Sequence, residues 1–168
     1  VDVAVAADAR EHARRVASAA GGHPFELSGE FATWRVSARD ASWSVDVAEL
    51  RAEVIEADLA ARDFTANALA VPLHGIGEQV LDPTGGGADI ARGTLRAVSE
   101  RSFADDPLRL LRAARIAAAL GFEIEPGTVA LARAAAPLAA QPAGERQFAE
   151  LAALVAGPDP VRGMELLD

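Results

Sequence analysis

The residues Val1-Asp2-Val3-Ala4-Val5 alternate, or nearly so, between apolar and polar with a period of two. That pattern predicts a strand carrying one carboxylate on one face. Asp8 then stands where an N-cap belongs, the helical pattern runs on through Ala20, and Gly21-Gly22 stops it. Three further strands are expected near Pro24–Leu27, Phe31–Ser37 and Ser42–Leu50, with Arg39-Asp40 turning the last two into a hairpin. One strand, one helix and three strands suit an antiparallel or mixed sheet with a helix on one face.

Beyond residue 50 the period changes. Glu53–Ala70 reads as two short helical pieces broken around Arg62, and Val71–Leu73 and Gln79–Leu81 as strands about a turn at Gly75-Ile76-Gly77. Gly85–Gly87 closes the sheet region, Ala88–Arg92 forms a short helix, and Leu95–Val98 returns briefly as a strand. From Phe103 the chain is helical over Pro107–Leu120, Pro126–Ala136, Gly144–Ala156 and Pro160–Leu167, with Gly121 as the first C-cap. In the first of these, Leu108, Leu111, Ala114, Ala118 and Leu120 make the apolar stripe. The fold class is therefore α+β, with a sheet-bearing head over residues 1–100 and an all-α neck over 101–168.

Composition sharpens this only in places. The 168 residues are 51% hydrophobic and can bury a sizeable core in one or two small domains. No cysteine is present, which excludes disulfides and thiolate metal sites and permits a reducing compartment. No apolar run reaches membrane-spanning length, so no membrane partner is expected. All sixteen basic residues are arginine, which reads as coding bias. A net charge of -9 argues against a generic nucleic-acid binder, but leaves room for a site that gathers arginines locally. The chain starts inside an expected strand and stops inside an expected helix, as a fragment would.

Chemistry-bearing residues concentrate in three places. Asp2 and Asp46 lie on strands, each between valines; such acids either face solvent or hold magnesium between adjacent strands. Arg62, Asp63 and Asn67 occupy the break before a short helix, where Asp63 suits a cap, a ligand contact, or both. Asp105-Asp106-Pro107 precedes a helix whose Arg109, Arg112 and Arg115 recur every three residues and drift across one flank. Acids and a proline suit a first turn, and Asp106 lies three residues before Arg109, near enough to share a face. A solvated arginine face and a nucleotide-holding face both fit. His12, His23 and His74 are scattered and suggest no metal site or base.

Three segments in order carry a family resemblance. Asp105-Asp106-Pro107-Leu108-Arg109-Leu110-Leu111-Arg112-Ala113-Ala114-Arg115 resembles the base-reading motif of bacterial-type tRNA nucleotidyltransferases (CCA-adding enzymes) and their poly(A) polymerase relatives. Arg62-Asp63-Phe64-Thr65-Ala66-Asn67-Ala68-Leu69-Ala70 is similar to the family's Arg-Arg-Asp-Phe-Thr-Ile-Asn-Ala motif. Asp82-Pro83-Thr84-Gly85-Gly86-Gly87-Ala88-Asp89-Ile90 resembles its Asp-Pro-Phe-Gly-Gly-x-x-Asp-Leu turn, expected here as a springy link between head and neck. Glu145-Arg146 matches a weaker signature at the start of a neck helix, read as structural.

The resemblance implies a nucleotidyltransferase-type head followed by a helical neck. It implies that Asp2 is the second acid of a strand Asp-x-Asp pair and that Asp46, five residues before Arg51, is a third acid; both would be catalytic and would bind Mg2+. The first acid and the family's Gly-Gly-x-Val-Arg-Asp segment fall ahead of Val1, so the isolated fragment is expected to be inactive. Arg62 and Asp63 would serve the ribose and phosphates. Asp106 and Arg109 would present Watson–Crick-like hydrogen bonds to the base, with Arg112 and Arg115 as further nucleotide-side arginines. Two departures stand out: Ala61 replaces the family's first Arg, and Asp105 its usual Glu.

The implied function is template-independent addition of C and/or A to the 3′ end of tRNA from CTP and ATP, with pyrophosphate released, in the cytoplasm. Poly(A) polymerase or a C-only or A-only enzyme is the alternative within the class. A nucleotide- or RNA-binding module without catalysis is the alternative outside it.

Overall fold

A computed structural model describes residues 1–29, 32–75 and 79–168 of the chain. The expected start of the second strand at Phe31 and the expected turn residues Ile76 and Gly77 lie outside the described residues. The chain packs as two compact units, Val1–Asp58 and Leu59–Asp168.

The first unit is a four-stranded mixed sheet with one helix. Its strands are β1 (Asp2–Val5), β2 (His23–Ser28), β3 (Thr33–Ser37) and β4 (Ser44–Glu49), in the order β1-β4-β3-β2. β1 runs parallel to β4, while β4–β3 and β3–β2 are antiparallel. Alternation decides the faces. Val3, Val5, Trp34, Val36, Val45 and Val47 pack with Ala9, Ala13, Val16 and Ala17 of α1 (Ala9–Ala20), an alanine face that lets helix and sheet approach closely. The strand positions between them, Asp2, Arg35 and Asp46 included, belong to the opposite face.

Asp8 does precede α1, but its side chain does not cap it. Asp8 has φ 55°, in the left-handed region, and Glu49 Oε1 accepts the Ala9 N–H at 3.2 Å instead. A carboxylate brought from β4 thus does the work expected of the local one. The hairpin turn is as expected, with Asp40 Oδ1 accepting from both the backbone and the hydroxyl of Ser42.

α2 (Ile55–Ala60) leads into the second unit, which is mostly helical: α3 (Gly86–Ala91), β5 (Thr94–Leu95), α4 (Ser102–Asp105), α5 (Arg109–Leu120), β6 (Glu123–Ile124), α6 (Pro126–Ala135), α7 (Gly144–Val155) and α8 (Pro160–Glu165), with a 3-10 turn at Thr65–Asn67. Its core joins Phe64, Leu95, Ala97, Phe103, Ala113, Ile116, Ala117 and Ala135. Phe64, Leu95 and Ala97 precede residue 100 and Phe103, Ala113, Ile116, Ala117 and Ala135 follow it, so residues on both sides of the expected head–neck division share one core.

Several expectations about this unit need correcting. Val71–Leu73 and Gln79–Leu81 are not strands; one bridge, Ala70–Leu81, replaces them, and Leu73–Gly75 is a 3-10 turn. Leu95–Val98 shrinks to the two-residue β5, which pairs in parallel with β6, plus a bridge from Ala97 to Phe64. On α5 the buried face is Ala113, Ala114, Ile116, Ala117 and Ala118, whereas Leu120 is 54% exposed. Of the expected stripe, Leu108, Ala114 and Ala118 are buried, and Ala113, Ile116 and Ala117 widen the buried face beyond it. Gly121 closes α5 with φ 67°, as its position implies.

The glycine triplet is a packed helix start, not a springy link. Gly85 takes φ 78°, and the Gly86 and Gly87 N–H groups donate to Asp82 Oδ1 and Oδ2 at 2.7 and 2.9 Å. A Cβ on Gly86 would sit 2.0 Å from the Thr65 carbonyl oxygen, so only glycine allows this approach.

Candidate active site

Within the first unit the sheet register sets Asp2 opposite Asp46, Asp46 opposite Arg35, and Arg35 opposite Phe25. Residues directly across neighbouring strands share a face, so these four form one row on the side away from α1. Arg35 grips Asp46 with both arms of its fork, Nε to Oδ1 and Nη2 to Oδ2, each at 2.6 Å. The hydrogen bonds from Arg35 outweigh a smaller opposing effect of burial and hold the Asp46 carboxyl below the usual carboxylate range. Two carboxylates in register supply hard oxygen donors of the kind magnesium takes. Asp2 and Asp46 therefore fit such an ion as a two-acid set; among the described residues no cluster of three or more metal-ligating side chains occurs.

The second unit brings the other expected site residues together through ion pairs. Asp63, 7% exposed, is bonded on both oxygens. Oδ1 accepts from the Phe64 N–H and Asn67 Nδ2, and Oδ2 from Arg112 Nε and Nη2 at 2.9 and 2.6 Å. Burial pushes this carboxyl up, but the charge and hydrogen bonds of Arg112, aided by Phe64 and Asn67, more than offset it, leaving it below the usual range. Local capping and a long-range contact thus coexist on one side chain.

Arg112 also reaches Glu150 Oε1 of α7 at 3.2 Å, and Arg115 Nε meets Glu150 Oε2 at 2.6 Å. Arg109 turns back on the chain: Nη2 donates to the Ala61 carbonyl at 3.0 Å, and Nη1 to those of Arg62 and Ser102. Arg62, exposed at the turn before Asp63, thereby shares a segment with Arg109 through its backbone.

Asp106 and Arg109 do not lie together on the first turn of a helix. α5 begins only at Arg109, and Asp106 is extended backbone (φ -146°, ψ 99°) ending α4. Its Oδ1 caps the Leu108 N–H at 3.1 Å, and its Oδ2 accepts from Arg146 Nη2 at 2.9 Å. The expected acid–arginine neighbours therefore hold different partners. Asp105 pairs instead with Arg101 one turn earlier.

Two residues were missed as part of this network, Arg146 and Glu150. They stand four apart on α7 and so face the same way; their spacing was the available signal. Asp89 was also passed over. It is 1% exposed and accepts from Thr65 Oγ1, Arg92 and Arg96 at 2.7–2.8 Å, tying the second motif to the third. Burial raises its carboxyl, yet the hydrogen bonds from Thr65, Arg96 and Arg92 prevail and lower it.

Similarity to known proteins follows the same residues. The family model described as the poly(A) polymerase head domain matches residues 2–96, and one described as a probable RNA and SrmB-binding site of polymerase A matches residues 121–168. A CC-adding tRNA nucleotidyltransferase of Geobacter sulfurreducens is 46% identical over 151 residues, covering 90% of this chain and 35% of that protein. An A-adding tRNA nucleotidyltransferase of Deinococcus radiodurans is 42% identical over 161 residues, covering 93% of this chain and 36% of that one. A CCA-adding enzyme solved in complex with CTP superimposes with a TM-score of 0.85 at 29% identity, over 98% of this chain and 41% of its own. The chain spans about a third of the length of the curated relatives it matches. With a matching head-domain model over more than half its length and the three motifs joined as described, the chain belongs to the poly(A) polymerase head-domain family, the family of the tRNA nucleotidyltransferases.

Proposed function

We propose that this chain is the head and base-reading part of an enzyme that adds C and/or A to the 3′ end of tRNA. CTP and ATP are the donors, and pyrophosphate is released. The observation that carries this reading is the joining of separate motifs by ion pairs and hydrogen bonds: Asp63 with Arg112, Thr65 with Asp89, Arg109 with the Ala61 and Arg62 carbonyls.

In the proposed reaction the terminal 3′-hydroxyl attacks the α-phosphate in line. Asp2 and Asp46 would hold Mg2+, which when bound eases formation of the nucleophile and offsets charge in the transition state. Arg112 and Arg115, held in place by Asp63 and Glu150, would orient the nucleotide with their remaining N–H groups, so orientation and local electrostatics supply much of the rate. Asp106 and Arg109 are assigned the base edge. A carboxylate has about four lone-pair sites and a guanidinium five N–H groups, so both keep capacity beyond their present partners. Arg62 and Asp63 serve the ribose and phosphates, Asp63 by positioning Arg112.

Relatives named for CC addition and for A addition match this chain to similar extents, which favours neither specificity. A single-nucleotide enzyme is therefore the second reading. The proposed compartment is cytoplasmic, in keeping with a tRNA substrate, and no helix among the described residues is long and apolar enough to cross a membrane. The test is extension of a tRNA lacking its terminal CCA, and of one ending in CC, by the full-length protein with labelled CTP and ATP. Growth by three nucleotides supports complete CCA addition, growth with one donor only supports the second reading, and no growth with Mg2+ present rejects the proposal.

A further inference from the structure

We infer that Arg35 is a resident counter-ion that a divalent cation must displace from Asp46, so that this arginine sets the affinity of the proposed metal site. The inference rests on reading Asp2 and Asp46 as the metal ligands. It goes further because neither metal chemistry nor the sheet's packing calls for an arginine at this position.

The geometry is a competition for the same atoms. Each oxygen of Asp46 already accepts a short hydrogen bond from Arg35, in the bidentate arrangement that makes arginine–carboxylate pairs strong. A cation bound between Asp2 and Asp46 needs at least one of those oxygens. It would also stand beside a guanidinium of the same sign, which repels it. Both cannot hold the carboxylate on equal terms.

Release of the arginine is sterically simple. Its side chain is 38% exposed and that of Asp46 22%, so a change of rotamer frees the fork without moving β3 or β4. Arg35 lies on the face away from α1, and the core beneath is built by its neighbours Trp34 and Val36. Replacing it therefore leaves the hydrophobic packing intact. With the ion absent, the fork keeps two adjacent acids from facing each other unneutralised and holds Asp46 in one rotamer.

The test titrates Mn2+ alone into the full-length protein and follows the free-ion electron paramagnetic resonance signal, which needs no turnover. A partly exposed bidentate pair contributes about 1 kcal/mol, so Arg35→Gln should bind Mn2+ about three- to tenfold more tightly than the unaltered protein. Arg35→Lys, which keeps the charge but loses the fork, should fall between. Asp46→Asn should weaken binding, and adding Arg35→Gln to it should bring no gain. Unchanged or weaker binding in Arg35→Gln, with Asp46→Asn still weakened, overturns the competition and leaves the metal ligands standing. Unchanged binding in Asp46→Asn overturns both.

Discussion

Arg109 and Arg115 share one face of α5 only in part, and the partners they hold set different expectations for their loss. Arg109 is anchored by carbonyls of Ala61, Arg62 and Ser102, which fix the plane of its guanidinium without neutralising it. Arg115 is neutralised by Glu150, which it shares with Arg112. Replacing Arg109 with alanine should therefore blur the preference for CTP and ATP over UTP and GTP. The loss is roughly 1–3 kcal/mol per unmet hydrogen bond, a factor of about five to a hundred and fifty in discrimination. Arg115→Ala and Glu150→Gln should instead lower kcat/KM for all four triphosphates by a similar factor, since they disturb the placement of Arg112 and carry no information about the base. Measuring kcat/KM for each donor separates these outcomes. An even loss across all four for Arg109→Ala would make it a backbone brace.

At the scale of elements, the helix start at Gly86 gives a prediction about stability. A methyl group there would press on the Thr65 carbonyl, so Gly86→Ala should cost about 2–3 kcal/mol in the second unit, seen as an earlier urea midpoint. A neutral effect would restore the view of this segment as a pliant link. The same example shows why some of the fold was legible in the sequence and some was not. Strands, α1 and the neck helices follow from period and caps, which are local. The role of Gly86 depends on Thr65, twenty-one residues away, and no local pattern displays that. Asp8 looked like the cap of α1 because it stands in the right place, but Glu49 arrives from another strand. Val71–Leu73 and Gln79–Leu81 read as two strands, yet among the described residues the pairing is the single bridge Ala70–Leu81, with Leu73–Gly75 taken into a 3-10 turn. For the site, motif spacing picked out Asp63, Asp106, Arg109, Arg112 and Arg115; Glu150, the partner of Arg112 and Arg115, and Arg146, the partner of Asp106, required the packing of α7 on α5.

The whole molecule carries many more acids than bases, yet several of its buried acids are held ionised by arginines. Asp63 and Asp89 both titrate below the ordinary carboxylate range in the folded state. A depressed folded pKa adds stability that is complete above the unfolded value, about 3.9, and is lost as the pH falls below it through the folded value. Urea midpoints should accordingly vary little from these groups between about pH 5 and 7 and drop below about pH 4. Asp89→Asn should be less stable by about 2–4 kcal/mol near neutrality and lose part of the acid-side slope. An unchanged slope in that variant would mean that Asp89 does not carry the acid sensitivity.

The most direct measurement sequences the 3′ ends of a CCA-less tRNA after incubation of the full-length protein with all four triphosphates and Mg2+. C, A or both should be added, U and G left out, and Asp46→Asn should add nothing. No extension by the unaltered protein, or U and G incorporated as readily as C and A, would contradict it.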